Sequence, residues 1–267
     1  MTRVIGLVSW WDESPTWLAA SVASMGRFCD HVVVLDGRYA MYPDQRLQSG
    51  IDQVMAAIEA ARAVGVGVTL HTAPRTFGDE MEKRTHLFKL GALEARSHED
   101  WFFVLDGDEV VVESPSRDEV LARLDAEREN GVYAVTATLF ERVDPHHNEQ
   151  RTDLGMKLAI EWRYECASPR FWRVLDSMRV VGYHYSYVGE DEHGDTIELW
   201  GDDSCAKRAP WASLCGEVVL ENRNRLRGKQ RDADREQYYR DRDATGLEKI
   251  APLSELEGAK DGNRQIA

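Results

Sequence analysis

The chain has 267 residues, enough to bury one sizeable core with or without an appendage, and 43% of them are apolar. Its 47 acidic against 33 basic residues give a net charge of −14, which repels nucleic acid and anionic membrane at long range but leaves room for a small basic pocket. The opening MTRVIGLVSWWDE carries an apolar run too short for a signal-peptide core, and no later stretch is long and uncharged enough to span a bilayer.

Val4 to Val8 reads as a buried strand, rich in branched aliphatics. Ser14-Pro15 then opens a helix with an apolar stripe of Leu18, Val22 and Met25. His31 to Leu35 is a second strand, ending at Asp36-Gly37, and residues 38–49 read as a polar loop. The next helix carries Ile51, Val54, Met55 and Ile58 on one face, and Val66 to His71 is a third strand. Asp79 and Glu82 suit a capping box for a helix with Met81, Phe88, Ala92 and Ala95 on one side. Trp101 to Leu105 is a fourth strand, running into DGDE, and Ser116 with Glu119 caps a further helix closed by Gly131.

The β-α-β-α order predicts an α/β fold with a mostly parallel sheet flanked by helices. Longer, more aromatic strands follow at Val132–Phe140, Leu158–Tyr164, Arg170–Leu175 and Arg179–Val188, read as an antiparallel C-terminal extension of that sheet. The acidic stretch 189–203 reads as a flexible loop, and Glu221 to Arg242 as a charged helix or helix pair. The chain thus divides into an α/β half (1–115), a second half of the same domain (116–220) and a charged helical tail (221–267). Four cysteines without a C-x-x-C pair point to reduced thiols and a cytoplasmic protein, and Cys205 and Cys215 lack a second pair at zinc-site spacing.

Parallel sheets of this type bind ligands at the carboxyl ends of their strands. Asp12, Asp36 and Asp106 all stand just past such ends. The densest chemistry is WFFVLDGDEVVV (101–112). In extended chain Asp106 and Asp108 would share a side, about 6–7 Å apart at Cα. Two hard carboxylates so placed suit Mg2+ or Mn2+ with open positions for phosphate oxygens. Gly107 between them lets a ligand approach the backbone.

In these features the chain resembles family 2 glycosyltransferases of the GT-A fold, most clearly from Val4 to Val112 and more loosely to Val188. VIGLVSWWDE and HVVVLDG match the family's first two strands with their following acids, and EKRTHLFKLGALEA matches its helix before the D-x-D strand. The resemblance implies a nucleotide-sugar-binding half at 1–115 and an acceptor-side half at 116–220. It implies that Glu13 (or Asp12) and Asp36 bind the nucleoside, and that Arg84 lies near the nucleotide. Asp106 would face the ribose, and Asp108 would hold a divalent cation and the diphosphate of a uridine- or guanosine-linked sugar. His184, in RVVGYHYSYV, resembles a strand histidine near the metal or acceptor in relatives. Several relatives carry a metal-binding histidine where this chain has Glu221-Asn222.

An inverting transfer needs a base for the acceptor hydroxyl, and the acids of 189–195 supply Asp191, with Glu190 beside it; a retaining transfer needs none. Closure of 189–203 over the donor would exclude water. Trp200 and Trp211 flank that segment and are candidates for stacking on an acceptor. Exposed aromatics of the second half offer a homodimer surface. An aspartate-nucleophile phosphatase fits poorly, because DGDE lacks the following Thr and comes after three strand-helix units. A nucleotidyltransferase would open with a glycine-rich basic loop where this chain has the acidic SWWDESP. A nucleotide-sugar-binding protein without catalysis is the third alternative.

Overall fold

Strands β1 (Val4–Trp10), β2 (His31–Asp36), β3 (Gly67–Thr72) and β4 (Trp101–Asp106) lie parallel, in the order β3-β2-β1-β4. This computed structural model describes residues 2–40, 42, 46–73, 75–142, 157–158, 163–181, 186–191, 193–201 and 207–223. Alternation along each strand sorts side chains onto two faces. Val4, Val8, Val32, Val34, Trp101 and Phe103 pack on one core with helices α1 (Pro15–Met25), α2 (Ile51–Ala63) and α4 (Arg117–Glu129). Ile5, Leu7, Val33, Leu35, Phe102 and Val104 face the other core, where α3 (Glu80–Glu94) lies.

The predicted helix starts hold. Pro15 begins α1, Asp79 accepts from the Glu82 N–H at 2.7 Å, and Ser116 and Glu119 form the reciprocal capping box. At the end of α4, Gly131 adopts φ 75°, where a side chain would be strained. The buried faces differ from expectation. On α2 the inward residues are Gln53, Ala57, Ala60 and Ala61, while Ile51 is 74% exposed. On α3 Ala92 faces solvent, and Lys83, Arg84 and Gly91 are buried beside Met81, Leu87 and Phe88.

Past β4 the chain turns through Gly107-Asp108 into β5 (Glu109–Glu113). β6 (Ala134–Arg142), β7 (Lys157–Leu158) and β8 (Arg163–Arg173) extend the sheet, β8 lying antiparallel to both β4 and β6. The strand predicted over 158–164 meets β7 at Leu158 and the start of β8 at Arg163, with residues 159–162 outside the described residues, and the strand predicted over 170–175 is the end of β8. Predicted strand 179–188 also divides. β9 (Asp176–Val181) and β10 (Ser186–Glu190) pair antiparallel in a separate four-stranded sheet with β11 (Thr196–Trp200) and β12 (Lys207–Arg208). That sheet covers the α3 face, because Met178, Val180, Tyr187, Ile197 and Leu199 join its core.

Residues 196–200 are thus a strand anchored by Ile197 and Leu199 rather than part of a flexible loop. The last described elements, β13 (Trp211–Ser213) and β14 (Val219–Asn222), lie parallel to β6, and β14 inserts between β6 and β5. Glu221 and Asn222 therefore belong to a strand and not to the predicted tail helix; the rest of that helix, from residue 224, lies outside the described residues. No helix among the described residues is long and apolar enough to cross a membrane.

Candidate functional site

β2 and β3 lie on one side of β1, and β4 on the other. Between β1 and β4 the chain order reverses, and at such a switch point the connecting loops diverge and leave a crevice at the carboxyl ends. Register brings Ser9 opposite Asp106 and Trp10 opposite Asp36, so the expected acids gather along one sheet edge. The Gly107 turn presses on the segment after β1: a Cβ there would lie 3.1 Å from Trp10 Cβ and 3.6 Å from Glu13 Cγ. Asp106, Gly107, Asp108 and Glu13 therefore form one cluster.

Asp106 falls in step with Phe102 and Val104, which turns it to the α3 face. There Arg84 Nη2 donates to both of its oxygens at 2.8 Å, and Arg84 Nε and Nη2 also donate to Glu80 Oε1 at 2.9 and 2.8 Å. The guanidinium is buried while the Asp106 side chain is 34% exposed, so it is the carboxylate that faces outward. Asp108 is buried, and its carbonyl accepts from the Arg223 N–H at 3.0 Å. Gly107 and Asp108 thus form a turn, with Asp106 partly exposed and Asp108 buried, rather than the continuous extended strand expected.

Asp36 falls in step with Val32 and Val34, towards α2. It is fully buried, accepting from Ser49 N at 2.7 Å and Ser49 Oγ at 2.6 Å. Burial raises its pKa, opposed by Ser49 and by the charge of Lys83. This geometry makes Asp36 the clamp that closes the 37–49 loop onto the sheet. Asp12, at φ 51°, donates its N–H to Ser49 Oγ at 2.9 Å and lies 3.7 Å from Arg46. Glu13 is buried; its N–H donates to Gln53 Oε1 at 2.8 Å.

Glu109, Arg170, Asn222 and Lys83 were not assigned a place in the site from sequence. Glu109 is fully covered between two strands: Oε2 accepts from the Asp106 N–H at 3.1 Å, and Oε1 accepts from Arg170 at 2.7 Å and Asn222 Nδ2 at 3.2 Å. Burial raises the Glu109 pKa, and Arg170 opposes the rise. Lys83, with no exposed surface, donates to the carbonyls of Trp10 and Gly37, each at 2.7 Å, and lies 4.4 Å from the centre of the Tyr39 ring. Burial lowers its pKa to about 7 against the opposing charges of Asp36, Glu80 and Asp106. The spacing signal for these residues is faint, since Glu109 and Arg170 stand 61 positions apart.

Glu190 and Asp191 lie elsewhere. Glu190 pairs with Asp176, which begins β9 just after β8, and Asp176 lies 3.4 Å from His98, just before β4. The β10–β11 turn therefore sits by the amino ends of the parallel strands, about 17 Å back along β4 from Asp106. Asp191 holds that turn, accepting from the N–H groups of His193 and Asp195 at 2.9 Å. Its predicted role as base, and that of Glu190, does not fit this position. The same correction holds for Trp211, which packs edge-on against Trp200: its register through Ala134 and Trp172 leads to Phe102, near the start of β4. His184 lies outside the described residues.

Among the described residues no group of three or more His, Cys, Asp or Glu side chains is arranged to hold a metal ion. The donor set at the turn is nonetheless two hard carboxylates, Asp106 and Asp108, amid more acids than bases. Oxygen donors of this type are what Mg2+ and Mn2+ take, and two carboxylates alone leave most of such an ion's coordination positions to other ligands. No protein-family model matches the chain, and comparison with curated proteins gives no match.

Proposed function

We propose that the chain is a metal-dependent glycosyltransferase of GT-A type, transferring a sugar from a uridine- or guanosine-linked donor to an acceptor hydroxyl. The observation that carries this reading is the Asp106-Gly107-Asp108 turn at the β1–β4 switch point, packed against Glu13. A switch-point crevice is where α/β sheets bind nucleotides. Acid-lined and glycine-centred, this one suits a cation–diphosphate pair better than a bare anion.

Asp106 and Asp108 would hold the cation, which when bound neutralises charge on the departing nucleoside diphosphate. Glu13 and Asp12 supply acceptors for base N–H or ribose hydroxyl groups on the β1 side. Asp36 acts on the nucleoside through Ser49, by fixing the loop that borders it. Arg84 orients Asp106 from the α3 side, and Glu109 orients the turn by accepting from the Asp106 N–H. The reading assigns no general base to the hairpin at 190–195.

The test is the thermal midpoint of the full chain against a panel of nucleoside diphosphates and nucleotide sugars, with and without Mn2+. Ligands that bind the native state raise the midpoint. A Mn2+-dependent rise with one nucleotide series, lost in Asp108→Ala, is the expected result. No shift with any nucleotide, confirmed by calorimetry, ends the nucleotide-sugar reading.

A further inference from the structure

Arg84 occupies the position that a cation at Asp106 would have to contest. One nitrogen, Nη2, is 2.8 Å from both Asp106 oxygens, and Glu80 holds the same guanidinium from behind through Nε and Nη2. The arginine side chain is 10% exposed, so it has no free path to swing into water, whereas Asp106 opens outward. A divalent cation on those oxygens would stand within a few ångströms of a fixed positive charge. Coulomb repulsion at that range is screened in part by the water that reaches the Asp106 side but not on the buried Arg84 side.

We infer that Arg84 is a built-in counter-ion that competes with the divalent cation for Asp106 and so holds the cation affinity of the turn low. The inference rests on the cation-binding part of the proposed function and not on sugar transfer. Arg84 is a positioning residue here: it fixes the Asp106 carboxylate by the same contacts that oppose the metal. Glu80 sets the strength of the competition, because each hydrogen bond it accepts draws guanidinium charge away from Asp106.

The experiment is a titration of the full chain with Mn2+ alone, reading free Mn2+ by its electron paramagnetic resonance signal. Arg84→Met is expected to bind Mn2+ about tenfold more tightly than wild type, the low end of what one adjacent arginine does to the proton affinity of a carboxylate. Arg84→Lys keeps the positive charge but loses the two-nitrogen clamp on Glu80, so it is expected to gain clearly less Mn2+ affinity than Arg84→Met. Asp108→Asn is expected to weaken Mn2+ binding in both the wild-type and the Arg84→Met backgrounds. Circular dichroism and the thermal midpoint show whether each variant folds, and Arg84→Gln replaces Arg84→Met if the latter does not.

A neutral variant that binds Mn2+ no more tightly than wild type overturns the inference, as does an equal gain in Arg84→Lys. A residue that only supports the fold would lower the midpoint without tightening Mn2+. The two readings fail separately. Unchanged Mn2+ affinity with nucleotide binding retained sinks the competition alone. Tightened Mn2+ with no nucleotide binding sinks the glycosyltransferase reading alone.

Discussion

The Lys83 ammonium donates to the carbonyl of Trp10 at 2.7 Å, joining the inner face of α3 to the last residue of β1. A second bond, to the Gly37 carbonyl, takes the same charge across to the end of β2. The Trp10 carbonyl also accepts from the Gly37 N–H at 3.1 Å, so the lysine adds a second donor there and caps the Gly37 carbonyl just past β2. By these two bonds Lys83 fixes the floor of the crevice. Lys83→Met should cost on the order of 2 kcal/mol, chiefly by leaving the Gly37 carbonyl without this donor.

The same lysine sets a pH dependence. Its pKa of about 7 lies below the ordinary lysine value, so the unfolded chain binds this proton more tightly than the folded one. Raising pH from about 7 towards 10 therefore favours the folded state by up to roughly 1.4 kcal/mol per pH unit from this group. Below about 7 both states are protonated and the contribution is flat. Urea unfolding of wild type and Lys83→Met at pH 7, 8 and 9 should show wild type gaining on the variant at each step. Parallel curves would remove the buried charge from the account.

The Glu109–Arg170 pair predicts a different pattern. Removing one partner of a buried pair strands the other, and Arg170→Met should cost about 3–5 kcal/mol at pH 7. Arg170 holds the Glu109 pKa down against burial, so in the variant Glu109 titrates higher still. With a folded-state pKa above the unfolded value, the carboxyl is protonated in the folded state first as pH falls. The deficit of Arg170→Met should therefore shrink at pH 5. Adding Glu109→Gln should recover part of it at pH 7, and a double-mutant cycle in denaturant measures both effects. Strict additivity would mean the two side chains do not act as a unit.

What could be read from the residues followed their distance from simple periodicity. Strands β1, β2 and β4 were legible because uninterrupted aliphatic and aromatic runs bury on both faces, and the Asp36 and Asp106 ends followed from them. The α2 stripe misled because hydrophobicity picks out Ile51 and Met55, whereas close approach to α1 selects the small Ala57, Ala60 and Ala61. Lys83 was invisible as a core residue because a charged side chain in a helix reads as solvent-facing until the carbonyls it meets are known. The acids of 189–195 looked catalytic by type alone. Only strand register shows that β10 carries them towards the amino ends.

Gly107 ties packing to function. A Cβ 3.1 Å from Trp10 Cβ is tighter than ordinary contact, and Trp10 is buried in the core and cannot yield far. Gly107→Ala should therefore displace the turn by a few tenths of an ångström at a cost of about 1 kcal/mol. The thermal midpoint should fall modestly while the Mn2+-dependent nucleotide shift falls by more, since Asp106 and Asp108 move relative to Glu13. Calorimetric titration of the folded variant separates the two. Full retention of the shift would mean that the spacing across Gly107 does not matter to the site.

Asp191 supplies the sharpest contrast with that turn. Its carboxylate caps the β10–β11 hairpin through two backbone N–H groups, and its partners lie by the amino ends of the parallel strands. Asp191→Ala should lose about 1 kcal/mol of stability, as other side-chain caps of exposed turns do. Nucleotide and Mn2+ binding should be unchanged, and so should turnover once an acceptor is found. Asp191→Asn keeps one acceptor oxygen and should recover most of the stability. A folded Asp191→Ala that binds donor normally but fails to transfer sugar would place this hairpin at the reacting centre, against the register that now separates them.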